Sequence, residues 1–398
     1  MKKKRKFSIF PAYIDKHIII AITLLYVFGT IMIISTEMGL KAGDQSVVFS
    51  TVGKQFLYYI AGIITIIFIS RYKRVLSFDI KYIWFAYGVI LFSLLMTRAF
   101  PAINGAHAWI WIGTFTVQPS EFAKVMVMIL GAKLFGYNPY NDFKKSFLYF
   151  VVAVGVYFIT VLSYQHDLGS AVIIAGISYI MLLIVPYKEL NQYRKVMLLL
   201  LALGIVGAIF VLSPIGTKLF EHFSDSYMAG RFLAAANPFA YQYDTGYHLI
   251  MGLVSFATGG WFGVGLGNSI HKYMNFPNSP SDFILPIIVE ELGIVFGLLP
   301  ILIGYGVIFW RLIKHSLKFN NVASKMILVG TFAYLALHFV LNVGGVGGFI
   351  PLTGVPLLLI SRGGSSVVGF MMAIGFCERE IIHNIRKEKE NENNSGKI

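Results

Sequence analysis

The sequence is poor in cysteine and in charged residues. Cys377 is the single cysteine among 398 residues, which excludes an intrachain disulfide and a thiolate metal cluster. Charged side chains make up only 13% of the chain and hydrophobic ones 57%, whereas the apolar share of soluble proteins is about 45–50%. This balance excludes an ordinary soluble protein of this length and indicates a polytopic membrane protein.

Apolar runs long enough to cross a membrane occur along most of the chain. A helix needs about 20 consecutive apolar residues to span the hydrocarbon core of a bilayer. Ten runs approach that length, at residues 17–36, 53–70, 81–100, 119–136, 146–163, 168–186, 196–213, 283–310, 326–346 and 354–376. We therefore predict an all-α polytopic fold with about ten transmembrane helices. The first run lacks a small-residue cleavage site, which indicates an uncleaved span.

Lysine and arginine are distributed unequally between the two sides of this predicted bundle. If the amino terminus lies in the cytoplasm, basic clusters fall in cytoplasmic segments such as residues 2–6, 71–81 and 311–325, and the outer loops carry only scattered basic residues. Cytoplasmic loops of membrane proteins gather Lys and Arg. The asymmetry predicts two cytoplasmic termini, and it accounts for most of the net charge of +14 without a nucleic-acid partner.

Two polar regions lie outside the predicted spans. The largest loop, residues 214–282, connects spans 7 and 8 on the outer side and contains apolar pieces too short or too rich in glycine to cross the membrane. Irregular backbone at membrane depth must be covered by protein or line a cavity, so we expect this loop to cover the outer mouth of the bundle. We divide the chain into a transmembrane domain, residues 1–378, and a cytoplasmic polar tail, residues 379–398, which we expect to be disordered.

Three carboxylates accompany the apolar run that follows the large loop, namely Asp282, Glu290 and Glu291. A charged carboxylate within an apolar segment costs free energy unless it is paired with a cation, reached by water or required for function. If a helix begins at Asp282, Glu290 and Glu291 lie deeper and on different faces, so a shared role is not expected. Asp282 has two interpretations, an N-cap of that helix and a general base at the membrane surface. For Glu290 and Glu291 the alternatives are a structural ion pair and a role in a cavity.

Seven polar motifs follow one another along the predicted outer side of the chain. They lie at residues 118–124, 165–170, 230–239, 245–247, 263–269, 281–293 and 351–366. In identity and order they resemble the SEDS family (shape, elongation, division and sporulation), which comprises the FtsW, RodA and SpoVE proteins. The resemblance runs from the first span to the tenth. One such motif is weak support for a family, whereas seven in the same order are strong support.

The resemblance implies a function, a location and partners. It implies a peptidoglycan glycosyltransferase in the cytoplasmic membrane of a bacterium that polymerises lipid II on the outer face, with Asp282 as the essential aspartate. It also implies a class B penicillin-binding protein as transpeptidase partner, together with other division proteins. Overall similarity favours a septal, FtsW-like role in cell division over a RodA-like role in elongation. The polyprenyl diphosphate leaving group needs cations, either Lys and Arg side chains or a divalent ion such as Mg²⁺ or Mn²⁺.

Five further residues are candidates for substrate binding. Lys124 lies three residues after Glu121, which places both side chains on the same face of a helix. Two interpretations are open. The two charges neutralise each other within the bundle, or Lys124 faces the cavity and binds the diphosphate. Arg231 stands at the position of a family arginine in the large loop, where phosphate binding is favoured over a plain salt bridge. Lys272 and Glu290 are the last two candidates. For Lys272 the alternative to substrate binding is exposure to solvent or to lipid headgroups.

The chain departs from the family pattern around the proposed site. The departures are Ala108, His166, Asn237, Pro280, Ser281 and Arg362. They affect details of substrate contact rather than the reaction, because Asp282, Lys124 and Arg231 remain. Arg362 lies in the predicted tenth span, so it must face a cavity or a carboxylate, and we expect it to pair with one of the glutamates. The glycines that follow it predict close helix packing or a broken helix.

Two functions from other classes compete with the enzyme. In a lipid II flippase, Asp282, Glu290 and Lys124 would line a translocation path. A transporter needs access from both faces, whereas the polar motifs here gather on the outer side, so the sequence favours the enzyme. A catalytically inactive scaffold that recruits division proteins is the third possibility, and the presence of Asp282 argues against it.

Overall fold

The computed structural model describes residues 11, 13–40, 45–72, 75–103, 105–184, 190–211, 213–221, 227–243, 246–274 and 279–395. The basic segment at residues 2–6, which we predict to be cytoplasmic, lies outside the described residues. The same holds for residues 275–278, which precede the turn that contains Asp282.

The described part of the chain is mostly helical. Its α-helices are α1 (Lys16–Leu40), α2 (Gln45–Arg71), α3 (Ile80–Met96), α4 (Pro119–Tyr137), α5 (Phe143–Ile159), α6 (Leu168–Ile184), α7 (Asn191–Val211), α8 (Pro214–Glu221), α9 (Tyr227–Ala236), α10 (Tyr247–Gly259), α11 (Ile284–Gly293), α12 (Leu299–Lys318), α13 (Val322–Val346) and α14 (Gly364–Ser395). Each of the ten predicted spans overlaps at least one of these helices, and α8, α9 and α10 lie within the predicted large loop.

Several helical segments are long and apolar enough to cross a membrane. Six meet both conditions within the described residues: Lys16–Gly39, Val48–Arg71, Ile80–Ala99, Phe143–Tyr164, Ile284–Lys318 and Val322–Val346. The chain is therefore a helical, multi-pass membrane protein, while the count of ten spans stays a prediction.

Helix α13 lies at the centre of the helix bundle. It packs against α4, α6, α12 and α14, and 61% of its most apolar window is buried, compared with 17% in α2. Helix α1 packs against α12, and α2 packs along α14. Apolar side chains on the periphery, such as Phe68 on α2 and Leu203 on α7, are exposed, as expected where lipid rather than water is the solvent.

A small β-hairpin between α3 and α4 departs from the predicted all-α fold. Strands β1 (Ile110–Ile112) and β2 (Phe115–Val117) pair antiparallel. Gly113 occupies the turn with a φ of +62°, a region that glycine reaches without steric cost. Sequence analysis missed this hairpin because three-residue strands are too short to display the alternation that marks a strand.

The predicted eighth span is a broken helix. Helix α11 ends at Gly293, whose φ is +68°, and a π turn at Ile294–Leu298 leads into α12. The glycine-rich segment after α10 crosses this break. The N–H groups of Val264 and Gly265 donate to carbonyls at the end of α11, each at 2.9 Å, and the carbonyls of residues 260–261 accept from the N–H groups that open the π turn, each at 3.0 Å. Irregular backbone is tolerated at membrane depth when its polar groups are paired in this way.

Helix α14 differs from the predicted tenth span and tail. It begins at Gly364, because residues 351–363, with two prolines and a glycine in the left-handed region, form no helix. It continues to Ser395, so the expectation of a disordered tail was wrong up to that residue. Lys318 on α12 forms a salt bridge of 2.7 Å with Glu388, which ties the polar end of α14 to the bundle. The non-helical stretch is called segment 351–363 below.

Candidate active site

Asp282 lies in a turn, residues 279–283, immediately before α11. The residue as a whole is half-buried, and the Oδ1 of its side chain accepts a hydrogen bond of 2.8 Å from the hydroxyl of Ser281. Phe283 occupies the N-cap position of α11, one residue later than Asp282, and makes no side-chain cap. The N-cap interpretation of Asp282 was therefore wrong, because its side chain does not cap α11.

Two side chains from the large loop lie close enough to Asp282 to influence its charge, Arg231 on α9 and His248 on α10. Burial raises the pKa of Asp282 above its ordinary value, although the neighbouring hydroxyl and the charges of Arg231 and His248 act in the opposite direction. Nη1 of Arg231 donates to the carbonyl of Leu352 at 3.0 Å. Asp282 therefore lies where the large loop, α11 and segment 351–363 approach one another.

Asn342 on α13 joins the Asp282 turn to segment 351–363. Its Nδ2 donates to the carbonyl of Asp282 at 2.8 Å and to the carbonyl of Val355 at 2.9 Å. Sequence analysis missed this residue. The signal that could have found it is an amide within a long apolar run, since polar side chains inside a membrane helix are kept for a partner or a function.

Lys124 and Glu121 on α4 form a pair, which confirms the prediction from their spacing. Nζ of Lys124 lies 2.9 Å from Oε1 of Glu121 and 3.1 Å from Nε2 of His338 on α13. The hydroxyl of Tyr334, one turn earlier on α13, donates to Oε2 of Glu121. Because Lys124 is only 1% exposed, this geometry favours mutual neutralisation within the bundle over direct contact with the cavity.

Glu290 and Glu291 are both fully buried and both have partners from the end of the large loop. Glu290 accepts a hydrogen bond of 2.6 Å from the hydroxyl of Ser269 and lies 2.8 Å from Nδ1 of His271. Glu291 forms a salt bridge of 2.8 Å with Lys272. These contacts favour the ion-pair alternative for the two glutamates.

Lys272 is buried, contrary to the expected exposure to solvent or headgroups. It is 1% exposed, and its Nζ donates to the hydroxyl of Ser35 on α1 at 3.1 Å and to the carbonyl of Gly267 at 2.7 Å. The expectation was wrong because the buried carboxylate of Glu291 holds this ammonium inside the protein. An unpaired buried carboxylate would be strongly destabilising.

Arg362 pairs with a glutamate, as expected, but with Glu37 on α1 rather than with Glu290 or Glu291. Its backbone N–H donates to the carbonyl of Pro280 at 2.8 Å. Its side chain is 48% exposed, because it lies in segment 351–363 and not within a membrane-spanning helix. Arg362 therefore borders the Asp282 turn.

Metal ligands are not assembled in the described part of the chain. No group of three or more His, Cys, Asp or Glu side chains there is placed to hold a metal ion. A divalent cation beside Asp282 would need most of its oxygen ligands from elsewhere, such as the diphosphate of a substrate or water.

Known proteins with similar sequences share nearly the whole length of this chain. The family model for FtsW, RodA and SpoVE, described as "Cell cycle protein", matches residues 15–391. A probable peptidoglycan glycosyltransferase FtsW from Lactococcus lactis is 30% identical over 389 residues, which cover 92% of this chain and 91% of the relative. Stage V sporulation protein E from Bacillus subtilis is 30% identical over 376 residues, which cover 91% of this chain and 95% of the relative.

Solved structures with lower identity share the fold. One chain comes from a structure described as "Structural coordination of polymerization and crosslinking by a peptidoglycan synthase complex". It matches with a TM-score of 0.69 at 21% identity, covering 94% of this chain and 99% of that chain. The rod shape determining protein RodA from Thermus thermophilus matches with a TM-score of 0.58 at 19% identity, covering 94% of this chain and 97% of that chain.

Proposed function

The chain belongs to the FtsW/RodA/SpoVE family of cell cycle proteins, and we therefore propose that it is a peptidoglycan glycosyltransferase of a bacterial cytoplasmic membrane. The support is the family match over residues 15–391, together with curated relatives that are named as probable peptidoglycan glycosyltransferases.

The proposed substrate is lipid II, a disaccharide-pentapeptide carried on polyprenyl diphosphate, and the proposed product is a glycan strand on the outer face of the membrane. Asp282 takes the proton of the acceptor sugar hydroxyl while the hydroxyl oxygen forms a bond to the anomeric carbon of the donor. The bond between that carbon and the diphosphate oxygen breaks, and its electron pair leaves with polyprenyl diphosphate. The donor carbon is inverted.

The environment of Asp282 is the observation that carries this assignment. Asp282 is a partly exposed residue that a substrate can approach, and the raised pKa of its carboxyl group makes it a stronger base than an exposed aspartate. Glu290 and Glu291, by contrast, are buried and hydrogen-bonded to neighbouring residues. Arg231 interacts with the charge of Asp282, and we assign it to the diphosphate, whose negative charge grows as the bond breaks.

The remaining candidates are buried and have partners within the protein. For Lys124, the proposed role in diphosphate binding requires its buried pair with Glu121 to open when substrate enters. Glu290 and Lys272 are occupied by buried partners, so we propose that they support the site by holding α11. A divalent cation would neutralise the charge that grows on the diphosphate, and Asp282 is the carboxylate of the site that could contribute a ligand to it.

The proposed topology has ten spans with both termini in the cytoplasm and the loop at residues 214–282 outside. It rests on the distribution of lysine and arginine and on the overlap of helices with the predicted spans.

A class B penicillin-binding protein is the proposed partner, in keeping with the similar chain from a complex that couples polymerization and crosslinking. Septal cell-wall synthesis in division, with other division proteins, is the proposed setting, and a RodA-like elongation role is the alternative.

The test is polymerisation of lipid II by the purified protein. Asp282→Asn should reduce glycan polymer at least about 100-fold while leaving the melting temperature unchanged, because only the base is lost. The matched control is Asp79→Asn, which alters an exposed aspartate paired with Lys81 and should retain wild-type activity. Normal polymer yield from Asp282→Asn would remove Asp282 from the mechanism.

The same preparation distinguishes the enzyme from a flippase. Liposomes that contain the wild-type protein and labelled lipid II would show headgroup transfer across the bilayer without polymer if the protein were a transporter. Polymer formed from lipid II supplied on the outer side supports the glycosyltransferase.

A further inference from the structure

Asn342 holds together two parts of the candidate site that are distant in sequence. It is 3% exposed, and the two hydrogens of its Nδ2 are donated to the carbonyls of Asp282 at 2.8 Å and Val355 at 2.9 Å. One side chain of α13 therefore bridges the Asp282 turn and segment 351–363.

The two carbonyls determine the orientation of the Asn342 amide. A backbone carbonyl can only accept a hydrogen bond, so both must face the NH₂ group, and the amide oxygen points away. That oxygen is buried and has no hydrogen-bond partner among the described residues. A buried amide that donates to backbone carbonyls of two separate segments fixes the distance between those segments.

The position of the Asp282 carboxylate depends on the position of its backbone. Segment 351–363 holds the turn at two points, directly through the N–H of Arg362, which donates to Pro280 at 2.8 Å, and indirectly through Asn342. A displacement of about 1 Å at a reacting group can reduce a rate about 100-fold. The anchor at Asn342 is the one that acts on Asp282 itself.

Helix α13 also connects this anchor to Lys124. His338, one turn before Asn342, has its Nδ1 3.1 Å from the carbonyl of Pro356. Because the carbonyl accepts, Nδ1 carries the hydrogen, and Nε2 accepts from Lys124 at 3.1 Å. Two hydrogen-bonded side chains of α13 thus meet at residues 355–356, His338 from the side of Lys124 and Asn342 from the side of Asp282.

We propose that Asn342 is a positioning residue for glycosyl transfer, because it holds the backbone of Asp282 against segment 351–363 and so keeps the carboxylate at the acceptor hydroxyl. Asn342 touches no substrate and acts through Asp282. The kinetic consequence rests on the proposed function, in which Asp282 is the base, whereas the mechanical role of Asn342 in holding the turn does not.

The kinetic test compares variants of Asn342 in purified full-length protein. Asn342→Leu keeps the branched shape and removes both donors, and Asn342→Asp replaces the amide with a carboxyl group of nearly the same size and shape. We expect kcat for polymerisation to fall about 10- to 100-fold in both variants, with KM for lipid II within about threefold of wild type. The matched control is Ser324→Ala, which removes a buried hydroxyl on α13 that donates to Glu380 at 2.7 Å and contacts no part of the turn.

A second measurement reports on the turn without using activity. Cys377, the single cysteine, is fully buried, so a thiol introduced by Asp282→Cys can be labelled selectively with a membrane-impermeant maleimide. Adding Asn342→Leu to this background should raise the labelling rate at least about fivefold, because the turn opens more often. Adding Ser324→Ala should leave the labelling rate unchanged.

The outcomes separate this proposal from the proposed function. Faster labelling together with a lower kcat for Asn342→Leu supports the positioning role. Unchanged labelling, an unchanged kcat, or an equal loss of kcat in Ser324→Ala overturns it. If Asn342→Leu speeds the labelling but the wild-type protein makes no polymer, the mechanical role of Asn342 is supported and the proposed glycosyltransferase activity is overturned.

Discussion

Asp282, Glu290 and Glu291 lie within ten residues of one another in the sequence, yet their surroundings differ. The two glutamates are fully buried beside His271 and Lys272, so their charges are compensated inside the protein. Asp282 is half-buried, and its carboxylate accepts from a neutral hydroxyl. At the scale of single residues, solvent access and pairing therefore distinguish Asp282 from the two glutamates, which supports the proposed role of Asp282 as the base.

Polymerisation by the wild-type protein should rise with pH through the pKa of Asp282. The base acts only when deprotonated, and burial raises its pKa. The acid limb of the pH–rate profile, where the rate rises with pH, should therefore lie above the ordinary aspartate pKa of about 3.9. The charge of Arg231 lowers the pKa, so Arg231→Gln should shift the limb to higher pH. Initial rates measured against pH for both proteins check this.

Protonation of Asp282 does not itself lower the stability of the folded protein. A carboxyl group whose pKa is higher in the folded state than in the unfolded state favours folding when protonated, so Asp282 contributes relatively more stability at low pH and less as pH rises. An acid limb at the ordinary aspartate value, or no shift in Arg231→Gln, would contradict the prediction.

Lys272→Met should destabilise the protein by about 3–5 kcal/mol, because Glu291 is left buried without its cation. The double variant Lys272→Met with Glu291→Met should lose less, since neither charge remains. The free energy of unfolding of the single and double variants is measured in detergent. Lys81→Met, which removes an exposed lysine 3.4 Å from Asp79, is the matched control and should change stability by less than about 1 kcal/mol. A Lys272→Met variant as stable as wild type would show that the pair is not buried in solution.

At the scale of single elements, the break between α11 and α12 divides the predicted eighth span into two helices. An unbroken helix over Ile284–Lys318 would be about 50 Å long, more than the roughly 30 Å of the hydrocarbon core. The glycine-rich segment crosses the break so closely that side chains are excluded. A Cβ on Gly263 would lie 2.3 Å from the carbonyl oxygen of Glu291, and a Cβ on Gly259 would lie 1.9 Å from that of Val289.

Gly263→Ala should therefore destabilise the protein by more than about 2 kcal/mol, because the new methyl group clashes and the φ of +76° is unfavourable for alanine. The matched control is Gly88→Ala on α3, where a Cβ meets no atom within 4 Å and stability should stay within about 1 kcal/mol of wild type. Thermal unfolding of both variants in detergent tests this. Equal stability of the two variants would argue against the backbone crossing.

Charged groups also join helices at the predicted cytoplasmic end of the molecule. Asp15, just before α1, accepts from Arg311 at 2.6 Å and lies 2.8 Å from Nε2 of His315, both on α12. Its backbone N–H donates to Glu378 on α14 at 2.9 Å. At the scale of the whole molecule, the first, twelfth and fourteenth helices are thus held together at one end, while Asp282 lies at the opposite end of the predicted topology.

Cysteine labelling in intact cells should reveal this topology. Because Cys377 is buried, a thiol introduced by Phe239→Cys, in the large loop, should react with an impermeant maleimide added outside. A thiol introduced by Asn320→Cys, between α12 and α13, should react only after the membrane is permeabilised. The reverse pattern would invert the proposed orientation and place Asp282 on the cytoplasmic side.

Most of the fold could be predicted from the sequence, because a bilayer imposes a simple rule on it. Apolar runs of about 20 residues are visible without knowledge of neighbours, and all ten predicted runs overlap helices. The departures occur where backbone geometry decides the structure. The hairpin at residues 110–117, the break at Gly293 and the non-helical segment 351–363 depend on turns and on pairing with distant backbone.

The sequence by itself determined the membrane-embedded helical class, the family and the carboxylate of interest, because composition, hydrophobic runs and ordered motifs are local properties. Only the tertiary structure decided which charges pair between different elements, since the partner of Lys272 lies 19 residues away and that of Arg362 lies 325 residues away. The same holds for Asn342, which reaches Asp282 across 60 residues. Contacts between residues that are distant in the sequence cannot be inferred from local sequence patterns. The hydrogen bonds by which Asn342 holds the Asp282 turn were therefore found only in the three-dimensional structure.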